Sequence, residues 1–491
     1  MFKKIILSLL GIVLLLAAML LFNTLRQTSK QLGQVKTNKA TVDKDLVVNH
    51  LGGALRHKTI SNNLNQMYDL GKNFTAFHQY LDSIYPNLTA KLTKETFAKY
   101  SLLYTWKGKN TALKPVLLLA HQDVVPVDGT SEKDWEFDAF SGTVANGYVL
   151  GRGALDDKTS LIGIMEAVEM LVKNGFQPER TIYLAFGHDE EVGGLGAQTI
   201  VEALQARKIE LEMVVDEGGL ISKGSIPGIQ QEVALIGTAE KGYCSVELTV
   251  KGEGGHSSMP PPQTAVGVLS AAIQRLEANQ MPARIAGATR QMLDFIAADA
   301  PFFLRLLFSN LWISEPLLRS QFVKSNSGNA ALRTTTAATV FNAGIKDNVI
   351  PTQAKAVVNF RIIPGETIED VLAHVKRTIN DPRIAVAQSK SQMGQNPSPV
   401  SPTDHPSFQT LHQSIREVFP DVLVAPYLVV GATDSRRFIP ICKNIYRFMP
   451  IRIASEDLKR VHGTNERVKV DCVVESVQFY ARLIENLNGL K

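Results

Sequence analysis

The chain has 491 residues, too many for one ordinary core, so two folded units are the expectation. Hydrophobic residues make up 45% and charged residues 20%, a globular composition with no long disordered tract. The formal charge of +5 is spread thinly, and no basic run interleaves with aromatics, which argues against a nucleic-acid partner.

Three cysteines, Cys244, Cys442 and Cys472, are odd in number and far apart, so they make neither a disulfide framework nor a thiolate metal site. They read as small buried apolar residues. At the N-terminus, Lys3 and Lys4 precede eighteen uncharged residues, Ile5 to Phe22, a run long enough to cross a bilayer as a helix. A cleaved signal peptide is the rival reading, but the run exceeds a usual apolar core and lacks a small-x-small site. A single-pass anchor is therefore expected over 5–22. Lys3 and Lys4 favour a cytoplasmic N-terminus, whereas Arg26, Lys30, Lys36 and Lys39 lie on the opposite flank, so charge alone does not set the orientation.

Residues 23–50 are polar and aperiodic and read as a stalk. Over 51–240, buried-type strands (115–121, 181–191, 211–219) alternate with helical patterns at 158–175 and 196–210. Such alternation predicts an α/β unit with a mainly parallel sheet and helices on both faces. From 241 the period changes to two, as in a half-solvated strand. The order over 241–392 reads β-α-β-β-α-β, a small sheet with two helices on one face. An apolar insertion at about 281–333 interrupts it, read either as core of the small unit or as a pocket or membrane-facing surface. After about 393 the α/β character returns, so the small unit is an insert and 393–491 completes the larger one.

Four apolar strands are each expected to end in metal-capable residues. The first gives His121 and Asp123, and the second gives Asp156 and Asp157. The third gives Glu190 and Glu191, and the fourth gives Asp216. Open α/β sheets bind ligands at the carboxyl ends of their strands, so these residues point to one site. Near the C-terminus, "KRVHGTNERV" adds His462 in a loop beside a glycine. Each element alone is weak, but their joint occurrence is specific.

These motifs, in this order, resemble the di-zinc metallopeptidase family of aminoacylase-1, the glutamate carboxypeptidases and succinyl-diaminopimelate desuccinylase, over about 50–491. Within it they look most like the membrane-anchored branch with Gly-X carboxypeptidase (carboxypeptidase S) and the N-acyl-amino-acid hydrolase/synthase enzymes. The resemblance implies a zinc-peptidase catalytic unit with an inserted lid and dimerisation unit. It implies two zinc ions per subunit, with cobalt or manganese as substitutes. His121 and Asp216 would hold one ion, Glu191 and His462 the other, and Asp156 would bridge them before a cis peptide bond. Asp123 would orient His121, and Glu190 would be the general base toward the attacking water. His256 of "GEGGHSSMPP" would stabilise the oxyanion, reaching across a homodimer. Asn348 and Arg361 would bind the substrate oxygen and carboxylate, with a backbone N–H of Gly431 beside them. Asp157 stands where many relatives carry an uncharged residue. The implied substrate is a small molecule, a short peptide or an N-acyl amino acid, cleaved at an amide beside a free α-carboxylate. The alternatives are net synthesis of fatty acyl amides and a membrane-tethered peptide-binding protein. The branch also implies a catalytic unit outside the cytosol.

Overall fold

The computed structural model describes all residues except 1, 34, 63–66, 225, 227, 391–393, 455 and 491, so the boundary expected at 392/393 lies outside the described residues. The apolar runs form the middle of a ten-stranded sheet. Its order is Thr93–Phe97, Ser101–Trp106, Ile182–Gly187, Val116–His121, Met213–Asp216, Ile445–Arg447, Val233–Glu240, Ile221–Ser222 and Arg452–Ile453, with Leu423–Val429 also paired to Val233–Glu240. The strands Ile182–Gly187, Val116–His121, Met213–Asp216 and Ile445–Arg447 run parallel. The edge pair Thr93–Phe97 and Ser101–Trp106 is antiparallel, so the sheet is mixed. Val116–His121 and Ile182–Gly187 are buried throughout, as strands covered on both faces must be. Lys158–Lys173 belongs to the core on one face with Val470–Asn486, and Leu195–Ala206 to the core on the other.

The β-α-β-β-α-β pattern forms a separate four-stranded antiparallel sheet, ordered Thr335–Ala343, Gln353–Ile362, Gly242–Lys251 and Ile384–Gln388. Ala354, Ala356, Val358, Phe360 and Ile362 alternate inward. They meet Leu269 of the helix Ala265–Ala278 and Val371 and Val375 of the helix Ile368–Ile379 in a core of their own. Thr367 and Asp370 close a reciprocal capping box at the start of the second helix.

Two segments depart from one of their sequence readings: the insertion is not core of the small unit, and residues 23–50 are not a free stalk. The insertion at 281–333 folds into the helices Gly287–Ile296, Phe302–Ser309, Leu311–Phe322 and Asn326–Leu332. Its residues Leu293, Ile296, Phe308, Leu311 and Leu332 join the large core rather than that of the small sheet. Phe295 sets its ring edge-on to Phe408 at 5.6 Å between centroids. Residues 23–50 do not stand off as a stalk. Gln31 bonds to Phe295 and to both backbone groups of Val424, and Asn38 donates to the Glu417 carbonyl. The helix Lys44–Leu55 then buries Val47, Leu51 and Leu55. The spacing of those three residues is helical, and the polar flanks mask it in the sequence. All three cysteines are free and buried.

Candidate active site

The C-terminal ends of three neighbouring parallel strands meet at one place. His121 closes its strand opposite Gly187. The chain beyond Gly187 turns into the single 3-10 turn Glu190–Val192, and Met213–Asp216 leads directly into Glu217. Asp156 arrives from elsewhere. It follows Tyr148–Leu150, which belongs to a small three-stranded sheet with Thr143–Ala145 and Arg467–Lys469, rather than to the large sheet. That small sheet is what carries the loop of His462 beside the turn of Asp156. The peptide bond between Asp156 and Asp157 is cis.

Both histidines face the carboxylate of Asp156. His121 Nε2 lies 2.8 Å from Asp156 Oδ1, and His462 Nε2 lies 3.1 Å from Asp156 Oδ2 and 3.1 Å from Glu191 Oε1. His121, Asp156 and Glu191 bring their ligand atoms within 4.8 Å of one another, and so do His121, Asp157 and Glu217. His462 holds the left-handed region at φ 59°, uncommon for a residue with a Cβ. Its carbonyl accepts from Arg152 Nη2 at 3.1 Å, while Arg152 Nη1 pairs with Glu466 at 2.7 Å. Glu466 also accepts the N–H groups of Leu155 and Asp156, so one buried carboxylate ties the His462 loop to the Asp156 turn.

Asp216 is where geometry corrects the sequence assignment. Its Oδ2 accepts the Ser435 N–H at 2.8 Å, and the adjacent Glu217 takes the position expected of it, 3.5 Å from His121 Nε2. Residues that follow one another at a strand end point to opposite sides, so only one of the two can reach the cluster. Asp123 is fully buried and does more than orient His121. His121 Nδ1 lies 3.0 Å from the Asp123 backbone carbonyl and 3.4 Å from its carboxylate, which accepts from Ser61 and from the N–H groups of Glu190 and Glu191. It therefore fixes an imidazole and the acidic turn together. Replacing Asp123 by alanine should weaken metal binding roughly 10–100-fold, the usual cost of losing a supporting partner. Titration against a chromophoric chelator would measure this, and unchanged affinity would count against the role.

The electrostatics reflect carboxylates crowded together in a buried cluster. Burial pushes the Glu190 carboxyl well above the usual range, and the carboxylates of Glu217 and Asp434 add to this while His121 opposes it. Glu217 and Asp157 are raised likewise, by burial first. Burial also opposes ionisation of Asp156, but hydrogen bonds from His121 and His462 outweigh it and hold its carboxyl below the usual range. His462 is raised to about 10, first by its hydrogen bond to Asp156 and then by that to Glu191. Converging carboxylates in a low-dielectric pocket are costly unless cations offset them. Two imidazoles and several carboxylates without a thiolate make a donor set that fits divalent metal ions.

Asp189 accepts the N–H groups of Leu195 and Gly196 at 2.8 Å each and so caps the start of the helix Leu195–Ala206. His188 turns away from the cluster to Ser101 Oγ at 2.6 Å. Asp434 is a further buried neighbour of the cluster. It packs where side chains on Gly187 and Gly194 would collide with it, and burial raises its carboxyl. Gly431 lies half-buried in the loop just before it.

The residues expected to bind substrate lie on or near the small sheet. His256 is exposed on the two-residue strand Gly255–His256, paired with Val349–Ile350, and bonds to Ser258. Asn348 is exposed, its carbonyl accepting from Ser257 N–H. Arg361 stacks over Tyr243 at 4.9 Å. Among the described residues no hydrogen bond or ion pair joins these three to the metal-capable cluster.

With this geometry in place, comparisons with known proteins are decisive for the family. The family model "Peptidase family M20/M25/M40" matches residues 117–486. The chain is 42% identical over 458 residues to "N-fatty-acyl-amino acid synthase/hydrolase PM20D1" of Xenopus tropicalis, covering 92% of this chain and 87% of the relative. It is 40% identical over 478 residues to "Probable carboxypeptidase S-like 2" of Dictyostelium discoideum, covering 95% and 91%. Among solved structures, human carnosine dipeptidase 1 matches with a TM-score of 0.64 at 16% identity, over 91% of this chain and 97% of that one. The metallo-carboxypeptidase Sso-CP2 of Sulfolobus solfataricus matches at 0.63 and 19%, over 90% and 99%. These two likenesses establish the fold. The chain belongs to peptidase family M20/M25/M40, a family of metal-dependent amide hydrolases.

Proposed function

We propose that this protein hydrolyses the amide bond of N-acyl amino acids, fatty acyl ones included, beside a free α-carboxylate. The observation that supports it most is the convergence of His121, Asp156, Glu191, Glu217 and His462 around one crevice with Glu190 at its edge. His121, Glu217 and Asp156 would hold one zinc ion, and His462, Glu191 and Asp156 the second; cobalt or manganese could substitute. Bound there, the ions would supply Lewis acidity and lower the pKa of water. Glu190 takes a proton from the attacking water onto its carboxylate and returns it to the leaving amine nitrogen. Asp123 keeps His121 and the Glu190–Glu191 backbone in place throughout. Arg361, Asn348, His256 and the Gly431 N–H are assigned to the substrate carboxylate and the developing oxyanion. Closure of the small-sheet unit, or a second copy, brings them to the cluster.

Two features support wider assignments. The helix Phe2–Arg26 is long and apolar enough to cross a membrane, and we assign it as a single-pass anchor with the catalytic body away from the cytosol. Thr335–Ala343 is an edge strand whose residues are mostly exposed, Val340 and Phe341 among them, which suits a homodimer through the small sheet. Since one of the two named relatives is a synthase/hydrolase, the reverse condensation is the second reading.

Zinc-loaded full chain should hydrolyse N-acyl amino acids, lose activity on chelation, and be poor on matched substrates whose carboxylate is blocked as an amide. Running the condensation with the same preparation separates the two readings. Hydrolysis that persists in chelator would overturn the metal mechanism.

A further inference from the structure

The anchor helix is not loosely tethered. Asn310, whose side chain is buried, donates to the Leu20 carbonyl at 3.1 Å and to Thr24 Oγ1 at 3.3 Å, while its Oδ1 accepts from Asn23 at 2.9 Å. Arg305 donates to the Thr24 carbonyl at 3.0 Å and to the Gln27 carbonyl at 2.8 Å. The last four carbonyls of a helix have no partner within it and carry its negative dipole end, so the Arg305 guanidinium on the Thr24 carbonyl caps the helix, while the Asn310 amide grips its side one turn earlier. Both donors come from the insertion, Arg305 from the helix Phe302–Ser309 and Asn310 from its junction with Leu311–Phe322.

These same two helices present large apolar side chains to the outside. Phe302, Phe303 and Trp312 are 60%, 64% and 57% exposed, and Ile313 and Leu317 are exposed beside them. On a soluble surface such a group of aromatics is costly. The two helices meet the end of the apolar span through Arg305 and Asn310, at Leu20 and Thr24, near where Arg26 and Lys30 begin the polar chain. Trp and Phe beside basic residues, at the end of a span, are the composition of the bilayer interface. A second protein seated on the helix pair would still leave the unburied span uncovered, whereas one lipid bilayer covers both.

We infer that the helix pair Phe302–Ser309 and Leu311–Phe322 is a second membrane contact, inserting Phe302, Phe303, Trp312, Ile313 and Leu317 into the lipid interface and seating the catalytic body on the bilayer. The inference rests on the anchor reading above. It also gives the insertion a role distinct from that of a lid.

The test uses the full chain in phosphatidylcholine nanodiscs, with lipid acyl chains either plain or brominated near the headgroup. Bromine quenches tryptophan by contact. The chain has three tryptophans, so quenching of Trp312 alone removes roughly one third of the emission, given that only a residue at interfacial depth meets the bromine. In Trp312→Phe that loss should vanish. If the chain co-purifies with the discs but its emission is the same in both lipids, the inference is overturned and the anchor stands. Discs that hold two copies with Trp312 unquenched would make the face a contact between copies, which also overturns it. Failure to enter the discs at all defeats the anchor reading and this inference together.

Discussion

Glu190→Gln is expected to lower kcat by roughly 10²–10⁴-fold, the range that a positioned proton carrier contributes. The substitution keeps shape and removes the ability to take a proton. Its backbone N–H is held by Asp123 Oδ1 at 3.1 Å, so the turn should stay in place whichever side chain it bears. Glu190 lies outside both groups of ligand atoms within 4.8 Å, so metal content should be unchanged. KM should move little, because the substrate carboxylate is assigned to other residues. The checks are metal analysis of the purified variant and steady-state kinetics on one N-acyl amino acid. Turnover within a few-fold of wild type would sink the role of Glu190, and a variant that has lost metal would recast it as a ligand.

Glu217→Ala and Asp216→Asn should separate sharply. Glu217 is 3.5 Å from His121 Nε2, and its carboxyl is raised by burial and by Asp156. Its removal should empty the His121 side of the site and cut metal affinity by more than the roughly 10–100-fold of a supporting residue, with activity lost in step. Asp216 instead accepts the Ser435 N–H, and the neighbouring Thr433 donates to Glu240. Asp216→Asn should keep both metals and lower stability by about 1–3 kcal/mol, the cost of weakening a buried hydrogen bond to a charged acceptor. Metal equivalents by mass spectrometry and thermal melts of the two variants decide it. The opposite pattern, with Asp216→Asn emptying the site, would restore the assignment read from the sequence.

That pair of neighbours shows where sequence reading stops. "VVDEGG" says that a buried strand ends in two acids, but a strand buried on both faces has no apolar alternation to reveal which of them points to the crevice. In "GHDEEVGG" the sequence likewise names the acids without their directions, and the tight turn after Gly187 supplies these: Asp189 to the start of the next helix, Glu191 toward His462 and Glu190 beside them. Glu466 was in plain view in "HGTNERV". Its part in joining two distant turns depends on a small antiparallel sheet formed by residues more than three hundred positions apart, and nothing local signals it.

The sequence alone determined the α/β class, the acidic and histidine-bearing strand ends at His121, after Gly187 and at Asp216, the small β-α-β-β-α-β sheet and the apolar span at the N-terminus. These are written in periodicity and residue type, which act locally. Tertiary structure alone decided which of two adjacent acids faces His121, and that the polar segment after the span lies along the body. It also decided that the apolar insertion joins the large core and caps the span. Periodicity requires that an apolar face be covered and leaves open by what, since burial rewards area removed from water whichever neighbour covers it.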